Sequence, residues 1–196
     1  MLFYHKYIYL GMQKGNTMNQ KSYIFIKKLA HELWDTVKLL IVSLLIATLL
    51  KNTVVASAYV PTGSMEGTVV TGSRIFINKL AYLIAEPQRG DIVSFYCPDE
   101  PDTLYLKRII GLPGDIVEGI DGYVYINGEI LASDYTDIML NRDFGPFVVP
   151  ENSYFMMGDN RTNSWDSRYW DNPYVSRDAI IGKATFEFYP QIKVLE

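Results

Sequence analysis

The sequence predicts a mostly β protein, with a single N-terminal membrane-spanning helix followed by one antiparallel β-sheet domain. Three observations predict it. Leu39 to Leu50 (LLIVSLLIATLL) holds no charged residue. Beyond Val60 no long run has helical periodicity, and short β-rich runs alternate with turn residues instead. Charge divides between the two parts: residues 1–56 carry seven lysines against Glu32 and Asp35, a net +5, and the remainder carries −9.

The uncharged run alone is too short to cross a bilayer, which takes about twenty residues. Taken as Thr36–Ala56 it is long enough, with Lys38 and Lys51 reaching toward the headgroups. Lys6, Lys14, Lys21, Lys27, Lys28 and Lys38 precede it. The positive-inside tendency therefore keeps the N-terminus cytoplasmic and exports the C-terminal part of the chain. The expected division is a cytoplasmic tail over 1–35, a transmembrane helix over 36–56 and an extracytoplasmic β domain over 57–196. A cleaved secretory signal competes with the anchor, because Ala56-Ser57-Ala58 reads as a small-x-small cleavage site. Against it stand the long basic region and the interruption at Lys51-Asn52. Residues 1–17 read as an unstructured extension, and Met18 stands beside Met1 as a candidate start.

The expected strands are Arg74–Asn78, Asp91–Tyr96, Leu104–Ile110, Tyr123–Ile126, Ser153–Met157 and Ala179–Tyr189. Asn127-Gly128, between Tyr125-Ile126 and Glu129-Ile130, is a two-residue hairpin signal. Asp121-Gly122, Pro113-Gly114 and Gly158-Asp159-Asn160 mark further turns. Residues 141–146 read as a loop. About 140 residues suffice for a full core, and the acidic balance of this part argues against nucleic acid as its partner.

Elimination narrows the chemistry. The two histidines, His5 and His31, both precede the apolar run, and Cys97 is the only cysteine. The body therefore has no Ser-His-Asp triad, no Cys-His pair and no intrachain disulfide. Zinc sites built from histidine or several cysteines are excluded too. Asp99, Glu100 and Asp102 could in principle ligate calcium, although a solvated acidic loop is the plainer reading.

A hydrolase on this body needs another base. Of its lysines, Lys79, Lys107, Lys183 and Lys193, Lys107 is unusual. By strand alternation Tyr105, Lys107 and Ile109 share one face, and Leu106, Arg108 and Ile110 the other. Each face places one cation among apolar neighbours, and such cations need a partner or neutralisation. Lowering a lysine from ~10.4 to ~7.5 costs about 4 kcal/mol and yields an amine competent as a general base. An edge strand whose lysine snorkels into water also accounts for this segment. Ser64, in Pro61-Thr62-Gly63-Ser64-Met65, is the candidate nucleophile: Gly63 permits a tight backbone just before the hydroxyl, although the same residues make an ordinary loop. Gly158-Asp159-Asn160-Arg161-Thr162-Asn163-Ser164-Trp165-Asp166-Ser167-Arg168 is dense in hydrogen-bonding groups, as a capped surface turn also is.

In order and composition these three segments resemble the type I signal peptidase family. Its pattern places P-[ST]-x-S-M after a transmembrane helix, then K-R-x-x-G-x-P-G-D, met here by Lys107-Arg108-Ile109-Ile110-Gly111-Leu112-Pro113-Gly114-Asp115, then G-D-N-R-x-x-S-x-D-S-R. Arg89-Gly90-Asp91-Ile92-Val93 is a fourth similar stretch. The resemblance implies a signal-peptidase/LexA-like catalytic β domain in the cell membrane, cutting signal peptides from exported preproteins after small-x-small sites. By the same resemblance Ser64 is the nucleophile, Lys107 the general base and Ser164 the hydroxyl orienting its amine. Thr62 and the Ser64 N–H are oxyanion donors. Arg108 with Asp159, and Asp166 with Arg168, are supporting ion pairs. Val60, Met65, Tyr105 and Leu106 line the substrate pocket. No metal or cofactor is implied. The partners are signal peptides and membrane lipid, the latter through an apolar patch for which Tyr59, Val69, Val70 and Phe76 are candidates. Oligomeric state is not readable. One departure is visible: the family usually has proline three residues after the serine, where this chain has Gly67, and Val69 replaces the more usual leucine. A self-cleaving Ser/Lys protease of the LexA-repressor type and a catalytically silent membrane-tethered scaffold remain as alternatives.

Overall fold

The computed structural model describes residues 19–131 and 135–195. Both candidate starts, with His5, Lys6 and Lys14, lie outside the described residues. The chain divides at Leu49/Leu50 into two compact units.

The first unit carries helix α1, Gln20–Thr53, roughly 50 Å long at 1.5 Å per residue. Asn19 caps it, its Oδ1 accepting the Lys21 N–H at 3.1 Å. Before the apolar stretch Lys38 pairs with Asp35 at 2.7 Å, and His31 Nδ1 lies 2.9 Å from the same carboxylate. Between Lys38 and Lys51 the helix is uncharged and apolar on all sides, with Leu39, Leu40, Leu44 and Leu49 exposed, a pattern suited to hydrocarbon rather than water. Ser43 and Thr48 return their hydroxyls to the Leu39 and Leu44 carbonyls, each at 2.8 Å. Neither hydroxyl is then left unsatisfied, as hydrocarbon demands. The helix is long and apolar enough to cross a membrane.

α1 starts well before the expected Thr36 and stops short of Ala56. Val55 and Ala56 belong to a strand, because Ala56, Ser57 and Ala58 pair with Ile77, Phe76 and Ile75. An apolar run carries no mark of where helix yields to strand; the partner strand decides.

The second unit is all-β. Its strands are β1 (Val55–Tyr59), β2 (Arg74–Asn78), β3 (Ile92–Tyr96), β4 (Leu104–Gly111), β5 (Ile116–Ile120), β6 (Tyr123–Ile126), β7 (Glu129–Ile130), β8 (Phe144–Val148), β9 (Ser153–Met157), β10 (Tyr174–Ser176), β11 (Ile180–Tyr189) and β12 (Lys193–Val194). The larger sheet runs β1-β2-β11-β3-β4-β9-β10, with β12 on β11; the smaller runs β7-β6-β5-β8. Every pairing is antiparallel. Asn127 and Gly128 turn β6 directly into β7, with φ of 54° and 82°, the conformation that residue pair favours. Residues 141–146 are not wholly a loop, since β8 starts at Phe144. Its Pro146 lies on an edge strand, where a missing N–H is tolerated, and that proline hid the strand.

β4 is central. It lies between β3 and β9, pairing Val93 with Lys107 and Met157 with Arg108. One cluster packs Phe95, Ile109, Met156 and Trp170 on its Lys107 face. A second, around Met65, Val69, Ile75 and Ile77, takes Leu106 at its margin. A third joins Ile110, Phe155 and Met157 to the smaller sheet.

Candidate active site

Ser64 is the middle residue of a one-turn 3₁₀ helix, Gly63–Met65. Met65, fully buried in the second cluster, anchors that turn and leaves Ser64 half-buried at its surface. Thr62 enters extended, and its Oγ1 lies 3.4 Å from Ser64 Oγ.

Lys107 comes up from the middle of β4. It is 4% exposed, and its Nζ donates to Ser64 Oγ at 2.5 Å. The amine also lies 5.5 Å from the Tyr105 ring centroid. Among the described residues no carboxylate sits within ion-pair distance of it. Burial pushes the Lys107 pKa down to about 8; the Asp166 carboxylate opposes the shift and the Arg168 guanidinium adds to it.

Arg108 faces the other way and is fully paired. Its Nε reaches Asp159 Oδ1 at 2.9 Å and its Nη2 reaches Oδ2 at 2.8 Å, while Nη1 donates to the Gly90 carbonyl at 2.6 Å. This fork-on-fork geometry is what a buried guanidinium requires.

The loop after β9 supplies the third wall. Asp166 accepts Arg168 Nε at 2.7 Å and Nη2 at 2.8 Å, and also the Gly158 N–H at 2.9 Å. Asn160 reaches over to the serine turn, its N–H donating to the Ser64 carbonyl at 3.1 Å and its Nδ2 to the Gly63 carbonyl at 3.0 Å. A Cβ on Gly158 would collide with the Ser64 carbonyl oxygen and with Ser164 Oγ, so glycine alone lets the loop approach the turn this closely.

Ser64, Lys107, Thr62, Arg108, Asp159, Asp166 and Arg168 thus lie together around the serine turn and β4. Ser164 comes to the same place without a hydrogen bond to the amine. Its Oγ is buried without a hydrogen-bond partner, and the Lys107 amine turns to Ser64 instead. The pocket residues divide. Val60, Met65 and Leu106 share one cluster, whereas Tyr105 packs on the opposite face of β4 against Phe95 and Trp170, at centroid distances of 6.3 and 5.8 Å. Burial pushes the Tyr105 phenol up to about 12, with Cys97 and Glu100 adding to the shift. Val69 is no surface residue, being wholly buried against Met65 and Ile75, while Tyr59, Val70 and Phe76 are exposed. Asp99 uses both oxygens on the N–H groups of Asp171 and Asn172, at 2.8 and 3.0 Å. Sequence reasoning named Gly158 and Asn160 only as turn and motif members, without a role, and passed over Thr68.

A family model described as signal peptidase, peptidase S26, matches residues 33–189. The chain belongs to this family. It is a member of a family of serine endopeptidases, as the three motifs indicated. The probable signal peptidase I-2 of Synechocystis is 36% identical over 162 residues, spanning 80% of this chain and 73% of that protein. Signal peptidase I T of Bacillus subtilis is 35% identical over 188 residues, spanning 91% and 95%. A crystal structure of a signal peptidase I from Enterococcus faecalis is 37% identical, with a TM-score of 0.45 over 52% of this chain and 99% of that one. The family sets aside the self-cleaving repressor alternative.

Proposed function

We propose that this chain is a membrane-anchored signal peptidase I that removes signal peptides after small-x-small sites, with Ser64 as nucleophile and Lys107 as general base. The observation that carries this reading is the 2.5 Å approach of a buried, carboxylate-free lysine amine to a serine hydroxyl. An amine of pKa about 8 is neutral in a useful fraction near neutral pH.

Neutral Lys107 takes the Ser64 proton as Oγ attacks the scissile carbonyl carbon. The Ser64 N–H, in the first turn of a helix where N–H groups lack intrahelical acceptors, and the Thr62 hydroxyl hold the oxyanion. The tetrahedral adduct expels the amine of the mature protein, which takes the proton from Lys107. Lys107 then deprotonates a water that attacks the acyl-enzyme, and the proton returns to Ser64 as the acid leaves. Ser164, buried beside the Ser64 backbone without a partner, becomes the acceptor once Lys107 turns cationic; leaving such a hydroxyl unpaired costs about 1–3 kcal/mol. Asp166–Arg168 and Arg108–Asp159 keep the loop and strand in place.

The substrate lies extended, its small side chains entering a pocket edged by Val60, Met65 and Leu106, with Tyr105 beside the amine. α1 anchors the enzyme, with the lysine-rich N-terminal side cytoplasmic and the β unit outside. Tyr59, Val70 and Phe76 meet the outer leaflet. The test incubates a preprotein bearing an A-x-A site with detergent-solubilised full chain, Ser64→Ala and Lys107→Met, and reads the new N-terminus by mass spectrometry. Cleavage right after A-x-A, lost in both variants, is the expected result. A wild type that leaves several good preproteins intact would instead establish the silent scaffold.

A further inference from the structure

The serine turn and the lysine strand are tied together by contacts that take no part in the bond-making steps. The Thr68 hydroxyl donates to Asp159 Oδ2 at 2.5 Å, the same oxygen that accepts Arg108 Nη2 at 2.8 Å. Arg108 is the residue next to Lys107 in β4. At the other end of the turn, Asn160 holds the Gly63 and Ser64 carbonyls. The dipeptide Asp159-Asn160 therefore grips the nucleophile segment at both ends and, through Arg108, the strand that carries the base. Lys193 adds a further hold, donating from Nζ to the Thr68 carbonyl at 3.0 Å.

Between the two grips lies Gly67, at φ +98° with nothing within 4 Å of a Cβ built there. Proline, held near −65°, cannot take that backbone, so the departure seen in the sequence changes the path of the turn. Glycine also leaves this point the freest in the segment. On the far side of that joint the Thr68 and Val69 N–H groups return to the Met65 carbonyl at 3.0 and 2.8 Å and Val69 is buried, but it is the Thr68 hydroxyl that ties this part of the turn to the Asp159–Arg108 pair.

We propose that Thr68 is a positioning residue of this site: by tying the serine turn to the Asp159–Arg108 pair, it sets Ser64 Oγ against Lys107 Nζ. The assignment rests on the peptidase function proposed for this site. Thr68 touches neither substrate nor the reacting atoms, so its loss acts on the chemical step and not on substrate capture.

The experiment compares full-length wild type, Thr68→Val and Thr68→Ser in detergent, measuring kcat and KM on an A-x-A preprotein and amide hydrogen exchange over residues 60–70. The valine variant is expected to lose roughly 30–100-fold in kcat, the scale of a misplaced catalytic group, with KM nearly unchanged. It is also expected to exchange faster over that segment. Serine restores both readouts. A valine variant within about threefold of wild type, or a serine variant that falls as far as valine, overturns the assignment; such a margin is under 1 kcal/mol. Should the valine variant fail to fold, Thr68→Ala, which adds no branched apolar bulk, decides by the same criteria. If wild type itself cuts nothing, the peptidase reading fails, while the exchange rates still decide whether Thr68 holds the turn.

Discussion

On one face of β4 a buried cation is matched, and on the other it is not. Arg108 is closed by two hydrogen bonds to Asp159 and one to the Gly90 carbonyl. Lys107, the adjacent residue, is almost as deeply buried and meets a hydroxyl and an aromatic ring instead. Two buried cations on one strand thus resolve the same desolvation problem in opposite ways. A guanidinium does not give up its proton and so takes a carboxylate. An ammonium can, and burial drives it toward the neutral amine. The difference shows how to separate structural from reactive charge: the paired cation holds the fold, and the unpaired one is available for proton transfer.

The sharpest attempt to break that comparison is Lys107→Arg. It keeps the charge and much of the length but supplies a group that does not deprotonate. We expect activity to fall by about 10⁴-fold or more, read as turnover of an A-x-A preprotein. Retained turnover would remove Lys107 from the base role.

The matched face is next. Arg108→Met strands the Asp159 carboxylate in the interior, and unfolding in denaturant should register a loss of about 3–5 kcal/mol. Combining Arg108→Met with Asp159→Leu should recover most of it, because the cost lies in the unpaired partner.

Lys107→Met should do the reverse and stabilise the fold. With the folded pKa near 8 against an ordinary 10.5, the charged form carries a penalty of about 3 kcal/mol. That penalty is complete below pH 8, where both folded and unfolded lysine are protonated. It fades between 8 and 10.5, where the folded chain has released the proton and the unfolded chain still binds it. The gain in melting temperature of the methionine variant should therefore shrink across that window; a gain independent of pH would show that the lysine is not desolvated. The smallest effect is kinetic: kcat/KM should fall about tenfold per pH unit on the acid side of about 8, as the base takes up its proton.

Much of the fold was legible from local pattern. Arg74–Asn78, Tyr123–Ile126 and Ser153–Met157 are strands at the bounds expected from their composition. The Asn127-Gly128 turn lies where its residues demand. β1 was not legible, because its Val-Ala-Ser-Ala stretch continues an apolar helix and only pairing with β2 distinguishes it. β8 was masked by Gly145-Pro146, which an edge strand accommodates. In the site, motif spacing located Ser64, Lys107 and the Asp159 and Asp166 pairs. It did not place Val69, whose burial depends on Met65 and Ile75, nor Thr68, whose only mark is a hydrogen bond across 91 positions.

By itself the sequence determined which chemistry was available. Past α1 it offers no histidine and one cysteine, so neither a Ser-His-Asp triad nor a Cys-His pair was possible. It also determined the apolar helix and the alternation that sends Lys107 and Arg108 to opposite faces of β4, since both follow from residue order and backbone period. Tertiary structure alone decided which cation would be paired. Lys107 and Ser64 lie 43 positions apart, and a pKa depends on the water and charges that surround a group once the chain has closed around it.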